Sequence, residues 1–395
     1  MIKTCSKILL TSTLLSSYLL AKESLNTPKT PAYSTVWQKI YGGEDNDIAR
    51  GVVMLENGDN AVIGECKSFG AQRSDICVTR INSKGQTLWR KLLGGKKSDR
   101  GVAITRAKDG NLLILGSGKS FNNNSDRDLY VAKISLDGKV IWKKTFGGDR
   151  DEFAGGIAGT KSGGVIVVGD TESYSKKGYK DIYILVLDKN GNEIATRTIG
   201  GKLNDEAKSL TRTADGNFVV VGSREISRAG NADFLLLKLD QQGKKIWARS
   251  MGENDHDILN GVAPTPDGGV VATGATRSFG SAQTDLSVMN FNKDGKLIWH
   301  KIYGFKYYDE GNAITMTKNG GYLIAGTTNS MGKGGFDNYI IGLNSKGSLI
   351  WSKLYGGENK DIAHGISRTS DGGVIIVGES DSFKRSKDFY MIKVK

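Results

Sequence analysis

The residues best able to do chemistry in this chain are acidic, and they repeat. One register holds Asp47, Asp99, Glu152, Asp205, Asp257, Asp309 and Asp361, and a second holds Asp75, Asp128, Asp181, Asp233, Asp285, Asp337 and Asp388. Paired carboxylates could serve as general acid and base, but a catalytic pair has no reason to be copied seven times. A turn-fixing hydrogen bond does. The clusters Glu44-Asp45-Asn46-Asp47 and Asp255-His256-Asp257 invite a calcium reading. Neither shows the regular oxygen-ligand spacing of a calcium loop with its distal bidentate Glu, so no metal is expected. His256, His300 and His364 are the three histidines and fall in three different repeats, which leaves no zinc spacing. No Gly-x-Ser-x-Gly elbow and no phosphate loop occurs. These patterns disfavour an enzyme and call for no cofactor.

Basic residues offer a different chemistry. The formal net charge is +13, and removal of Lys3 and Lys7 would lower it to +11. Seven segments, each between a recurring Gly and an Asp of the second register, hold 14 Lys or Arg against 7 acidic residues. The densest are Lys176-Lys177 with Lys180, and Lys384-Arg385 with Lys387, and aromatics interleave at Phe69, Phe121, Tyr174, Phe279 and Phe383. Such loops suit an anionic glycan, lipid headgroup or acidic protein surface. That face is basic only if the seven bounding Asp are satisfied internally. The plainer reading is that each aromatic plugs its own loop and each Lys solubilises.

These residues sit on a repeat of about 52 residues. Trp recurs at 37, 89, 142, 247, 299 and 351, with Ala195 in the missing place, and each of these seven positions opens a repeat. Each unit reads as four short β-rich runs bounded by Gly, Asn, Asp and Ser. A Gly ends the second run at 64, 116, 169, 222, 274, 326 and 378, and the chain holds 53 Gly but 4 Pro. Four strands in each of seven units predict an all-β, seven-bladed β-propeller over 37–395. From the axis outward, each blade is a "GV-x-x-T", a "VIVVG", a "D-x-Y-x-x-K-L" and a "W-x-K-x-Y" strand. The chain starts on an isolated Trp-type strand, Trp37 to Tyr41, and ends on Asp388 to Val394. The first strand is therefore expected to complete the last blade. The basic residue two after each repeat start (Lys39, Lys91, Lys144, Arg197, Arg249, Lys301, Lys353) is read as neutralising one Asp set inside the blade packing. Tight turns share one end of the ring; the longer loops share the other, here the loop face, where binding belongs.

The motifs "W-x-K-x-Y-G-G", "D-G-G" and "G-x-T-x-S-F-G", running from Trp37 to the C-terminus, resemble the secreted bacterial β-propeller repeat family. Asp-x-x-Gly-x-x-x-Trp, as at Asp240 to Trp247, resembles the tryptophan-docking repeat of quinone-type propellers, which usually have eight blades. Kelch repeats are more distantly similar, with their Gly pair before the Tyr and Trp rather than after. The resemblance implies fold and export.

The N-terminus agrees with export. Lys3 and Lys7 precede an apolar stretch from Ile8 to Ala21, followed by Lys22-Glu23-Ser24. Residues 1–21 read as a signal peptide and 22–36 as a flexible linker, against an uncleaved anchor or a buried helix. Cys5 lies on the wrong side of that stretch for lipidation. No stretch reaches the 18 apolar residues of a membrane span. Export to the periplasm or beyond makes nucleic acid an unsuitable partner. It would also let Cys66 and Cys77 form a disulfide, the alternative being two small buried hydrophobes. The expected protein is a monomeric, non-enzymatic binding or scaffold propeller for a protein or an anionic envelope component. The second reading is a carbohydrate-active or quinone-dependent enzyme using loop-face carboxylates, for which two carboxylates about 5 to 10 Å apart in a pocket would speak.

Overall fold

The computed structural model describes residues 21–22, 33–122, 126–175, 179–280, 283–384 and 386–395. Within them the chain is a seven-bladed propeller of four-stranded antiparallel sheets, with no helix. Blade one is Asp47–Met54, Asn60–Cys66, Asp75–Ile81 and Thr87–Leu93, numbered from the axis outward. The inner strands of blades two to six are Asp99–Arg106, Glu152–Gly159, Asp205–Arg212, Asp257–Pro264 and Asp309–Met316. Asp361–Arg368, Val374–Ser380 and Asp388–Val394 form blade seven, and Thr35–Tyr41 completes it by pairing antiparallel with Asp388–Val394. Ser34 and Lys395 exchange backbone hydrogen bonds of 2.7 and 2.9 Å, so the two chain segments meet where the other blades have a tight turn. Ala21–Lys22 lies parallel to the outer strand of blade five at Lys301 and Ile302.

The second and third strands of each blade are buried on both faces, as in Val165–Thr171 and Asp181–Leu187. Their β-branched runs pack blade against blade: Ile166, Val168 and Ile184 of blade three meet Leu210 and Val220 of blade four. Each such fully buried aliphatic side chain contributes about 2 kcal/mol, repeated around the ring.

Outer strands lock onto the following blade through tryptophan. The Trp89 ring lies against Gly138 in the tight turn of blade two, and its indole nitrogen donates to the Leu136 carbonyl at 2.9 Å. Gly138 has a φ of 85°, open to glycine but strained for other residues. Trp142 repeats the arrangement on Gly191 and the Lys189 carbonyl at 3.1 Å. Trp351 faces the closed blade, which has no such turn, and its ring packs on Tyr33 with centroids 5.6 Å apart.

The recurring Gly of the second strand has a separate cause. Register shifts between Ala49 and Gly51, opposite Gly64 and Ile63, leave Arg50 unpaired as a β-bulge. A Cβ on Gly64 would collide with the Ile48 carbonyl oxygen beside that bulge. The same shift recurs in all seven inner strands, so Val102, Gly155, Lys208, Asn260, Asn312 and His364 are likewise left out of the ladder.

Candidate functional site

The first acidic register is spent inside the blades. Asp47 accepts the Gly43 amide at 2.9 Å and the Lys67 and Ser68 amides at 3.0 and 3.2 Å. Asp99, Glu152 and Asp361 accept the equivalent Gly95, Gly148 and Gly357 amides at 3.0, 3.0 and 2.9 Å. Each carboxylate thus ties the loop between blades to the loop within one, and all seven are buried. Six of the second register are buried as well, with Asp233 partly exposed. Burial raises the carboxyls of Asp75, Asp99, Asp128, Glu152, Asp257, Asp337 and Asp388 above the ordinary carboxylate range. Apart from Asp233, neither register presents its charge to solvent. Among the described residues, no three His, Cys, Asp or Glu side chains converge as a metal site requires.

Of the basic residues two after each repeat start, Lys39, Arg197 and Arg249 do not neutralise these Asp sets. Lys39 Nζ donates to the carbonyls of Lys84 and Gly85 at 2.7 and 3.2 Å, Arg197 to Gln242 at 3.2 Å, and Arg249 to Asp294 at 3.1 Å. Each reaches a tight turn of the following blade. The Asp residues stand at the opposite end of the ring, out of reach.

The loop-face residues divide. Lys176, Lys177 and Arg385 lie outside the described residues. Lys180 pairs with Glu206 at 3.3 Å and covers the Phe153 ring at 4.3 Å. Lys384 approaches Asp388 at 3.5 Å, and Lys387 approaches Glu379 at 3.6 Å. Phe279 packs edge-on against His300 at 5.4 Å, which makes it a plug of its own blade. Phe69 and Phe383 stand outside, 44% and 51% exposed. The Arg90 guanidinium lies 3.7 Å from the Phe69 ring centre, a cation–π contact at the surface. Phe69 also adopts a φ of 63°, which presents its ring outward from a tight loop. Cys66 and Cys77 are joined as a disulfide at the root of this loop, with Cα atoms 5.6 Å apart.

Sequence reasoning missed the channel. The bulged residues Arg50, Lys208, Asn260, Asn312 and His364 line a cavity of about 480 Å³ on the ring axis. The available signal was the fourth residue of each inner strand, which ranges from Gly to Arg between repeats while the residue after it stays Gly, Ala or Ser. Apart from the His364 imidazole, the lining among the described residues holds no aromatic ring, so a planar quinone has nothing to stack on and does not fit. The tight-turn end is also less uniform than its repeated turns suggest. Arg106, Lys108, Lys161 and Arg212 line a second cavity there, of about 640 Å³.

One acid stands apart. Asp170 is 4% exposed, and burial pushes its carboxyl up to about 7, against the pull of Lys208. Its Oδ1 accepts the Ala207 amide of blade four at 2.7 Å. An acid turned into the joint between two blades, with its acceptor in use, is placed to clip them together rather than to protonate a ligand.

Residues 127–315 match the family described as outer membrane protein assembly factor BamB. Regulatory protein FlaEY of Caulobacter vibrioides is 25% identical over 399 residues, covering 91% of this chain and 39% of that protein's length. A protein of unknown function from Dyadobacter fermentans superposes with a TM-score of 0.57 at 13% identity, covering 93% of this chain and 100% of that one. The Pan2 WD40 domain of Neurospora crassa gives 0.54 at 11% identity, with 91% and 95% covered. At these identities the structural likeness is one of fold. The tryptophan-to-turn docking and the match over 127–315 together show that the chain carries a quinone-propeller-like repeat, built into a seven-bladed ring.

Proposed function

We propose that this protein is an exported, non-enzymatic binding or scaffold propeller that engages a protein or an anionic envelope component through its loop face. The observation that carries the reading is the fate of the carboxylates. Fourteen acidic side chains of the two repeated registers stand at the loop end, yet they are turned inward and hydrogen-bonded or buried, so that exposed cations and aromatic rings, interspersed with loop acids such as Glu44, Asp149 and Glu358, are what a partner meets. Phe69 with Arg90, and Phe383 beside Lys384, are such pairs of an exposed ring and a basic group. Lys180 and Lys387 take part through their partly exposed ammonium groups, and Lys176, Lys177 and Arg385 extend the basic loops in sequence. A relative named as a regulatory protein fits a role in binding rather than turnover. The apolar Ile8 to Ala21 stretch and the Cys66–Cys77 disulfide support an oxidising compartment outside the cytoplasm. No helix among the described residues is long and apolar enough to cross a membrane.

The test immobilises the mature protein and measures its capture of an anionic envelope fraction over a salt series. Replacing Lys176, Lys177, Lys384 and Arg385 by Glu is expected to abolish capture without lowering the melting temperature. Capture by the parent is expected to weaken as salt passes the physiological range, where exposed charges are screened over about 8 Å. A charge-reversed protein that bound as well as the parent at low salt would end the proposal.

A further inference from the structure

The tight-turn end of the ring breaks its own repeat in one place. The last residue of each inner strand, in blades one to seven, is Met54, Arg106, Gly159, Arg212, Pro264, Met316 and Arg368. Glycine stands at this register in blade three alone, between two arginines. A strand glycine costs stability, and it often marks a close approach of a ligand or of another backbone. No backbone approaches closely here: a Cβ on Gly159 would meet only the Arg106 carbonyl oxygen, at 3.5 Å. Its φ also lies outside the left-handed region, so the conformation does not demand glycine. The missing side chain instead gives onto the cavity of about 640 Å³ lined by Arg106, Lys108, Lys161 and Arg212. Ile157 and Leu210 add apolar wall between them.

The acids at this end are committed elsewhere. Asp59, Asp109 and Asp215 each take a third-strand cation of their own blade, Arg80 at 2.7 Å, Lys133 at 2.6 Å and Lys238 at 2.8 Å. Asp137 pairs with Lys139 at 3.2 Å, while Asp188 and Asp240 accept amides of their own turns. Glu193 accepts the Thr196 hydroxyl at 2.6 Å, and Asp267 of blade five accepts that of Thr265 at 2.5 Å. Glu56 alone reaches a cation of the cavity, Arg106. Lys108, Lys161 and Arg212 are exposed and, among the described residues, have no ion pair. Lys108 Nζ donates to the Lys161 carbonyl and Lys161 Nζ to the Asp215 carbonyl, each at 3.2 Å. The two ammonium groups thus step from blade two to three and from three to four, each with two further N–H donors. Those contacts fasten neighbouring turns, but Arg212 fastens nothing, having neither ion pair nor side-chain hydrogen bond among the described residues. Cations from three blades, held over one recess without carboxylates to match, suit a ligand with more than one oxyanionic group.

We propose that the cavity beside Gly159 binds a sugar-sized polyanion, a compact polar frame carrying two or more oxyanionic groups, held by Arg212, Lys108 and Lys161. Its volume is that of a small-molecule site rather than of a groove for a chain. The site lies on the face opposite the loop rim and stands or falls apart from the partner proposed there. Phosphorylated sugars and uronic acids share this chemistry, and the experiment separates them. Fructose bisphosphate and digalacturonate are each titrated into the mature protein by calorimetry at constant ionic strength, with fructose as the uncharged frame. Saturable binding of one or both anions, and none of fructose, is the expected result, and the better ligand assigns the source. Arg212→Gln is expected to weaken binding about tenfold or more, which corresponds to one lost charge-assisted contact. This variant breaks no contact of the fold among the described residues, so a loss reports on the ligand. Gly159→Met places in blade three the residue that blades one and six already carry at this register, and it is expected to fill the recess and block binding at an unchanged melting temperature. Should that variant fail to fold, Arg212→Gln still decides. Lys384→Glu, at the loop rim, is expected to leave this binding intact, which separates its failure from that of the loop-face proposal. Absence of saturable binding of both anions up to ~10 mM, fructose binding as well as they do, or an Arg212→Gln or folded Gly159→Met protein that binds as the parent does, would overturn the site.

Discussion

Replacing Asp170 by Asn is expected to stabilise the ring above neutral pH and to leave it almost unchanged near pH 4. The Asp170 carboxyl titrates at about 7 in the folded protein, raised by burial from an ordinary value of 3.8. A rise from 3.8 to about 7 corresponds to roughly 4 kcal/mol between the two protonation states. The sign follows from proton uptake. Between those two values the folded chain holds the proton and the unfolded chain does not, so stability falls as pH rises through the window. The fall is complete once both states are ionised. Asn keeps an Oδ1 acceptor for the Ala207 amide, now made at 2.7 Å, and cannot ionise. The stability difference between variant and parent is thus expected to grow from near zero to roughly 4 kcal/mol between about pH 4 and pH 8. Other raised carboxyls, such as Asp99 and Glu152, titrate in both proteins and cancel in the difference. Depressed carboxyls such as Asp109, Asp215 and Asp371 are stabilising when ionised and lose that contribution only at lower pH. Urea unfolding followed by tryptophan fluorescence at several pH values measures the difference. Parallel pH profiles for parent and variant would refute the assignment of Asp170 as a buried, structurally perturbed acid.

Three further outcomes are expected. Deleting residues 22–43 removes the strand Thr35–Tyr41 from blade seven and bares the edge of Asp388–Val394, so aggregation or a clear fall in melting temperature should follow; a truncated protein as stable as the mature one would exclude this mode of closure. Trp89→Ala loses the packing on Gly138 and the bond to the Leu136 carbonyl, a cost of about 3 kcal/mol, and Ala195, which already lacks the ring, marks a repeat where Ala is tolerated. Differential scanning calorimetry should show the loss for Trp89→Ala, and an unchanged transition would mean that tryptophan docking is not what joins these blades. Unreduced mature protein should show no alkylatable thiol at Cys66 or Cys77 by mass spectrometry. Reduction should lower stability by about 3 kcal/mol, because the bond closes a short loop; two free thiols before reduction would count against export to an oxidising compartment.

Much of this protein was determined by local sequence, because each repeat states its own four strands and states them seven times. Alternating apolar runs, Asp-Gly turns and the recurrence from Trp37 to Trp351 establish blade number, strand order and closure without any long-range contact. The inward fate of the acidic registers follows from the same repetition, since a feature shared by all blades serves the blade. Tertiary structure decided what differs between blades. Arg50 and His364 enter the channel because a bulge forms against Gly64 and Gly378, a property of strand pairing that period-two alternation does not reveal. Lys39 meets the turn at Gly85 rather than an Asp because its strand presents it to the next blade at the tight-turn end, and a distance of that kind exists only in the closed ring. Asp170 lies near the end of the strand Val165–Thr171 and owes its shifted acidity to burial against Ala207 of the neighbouring blade. Repetition fixes the ring from within each unit, while charge, burial and access depend on which unlike units the ring brings side by side.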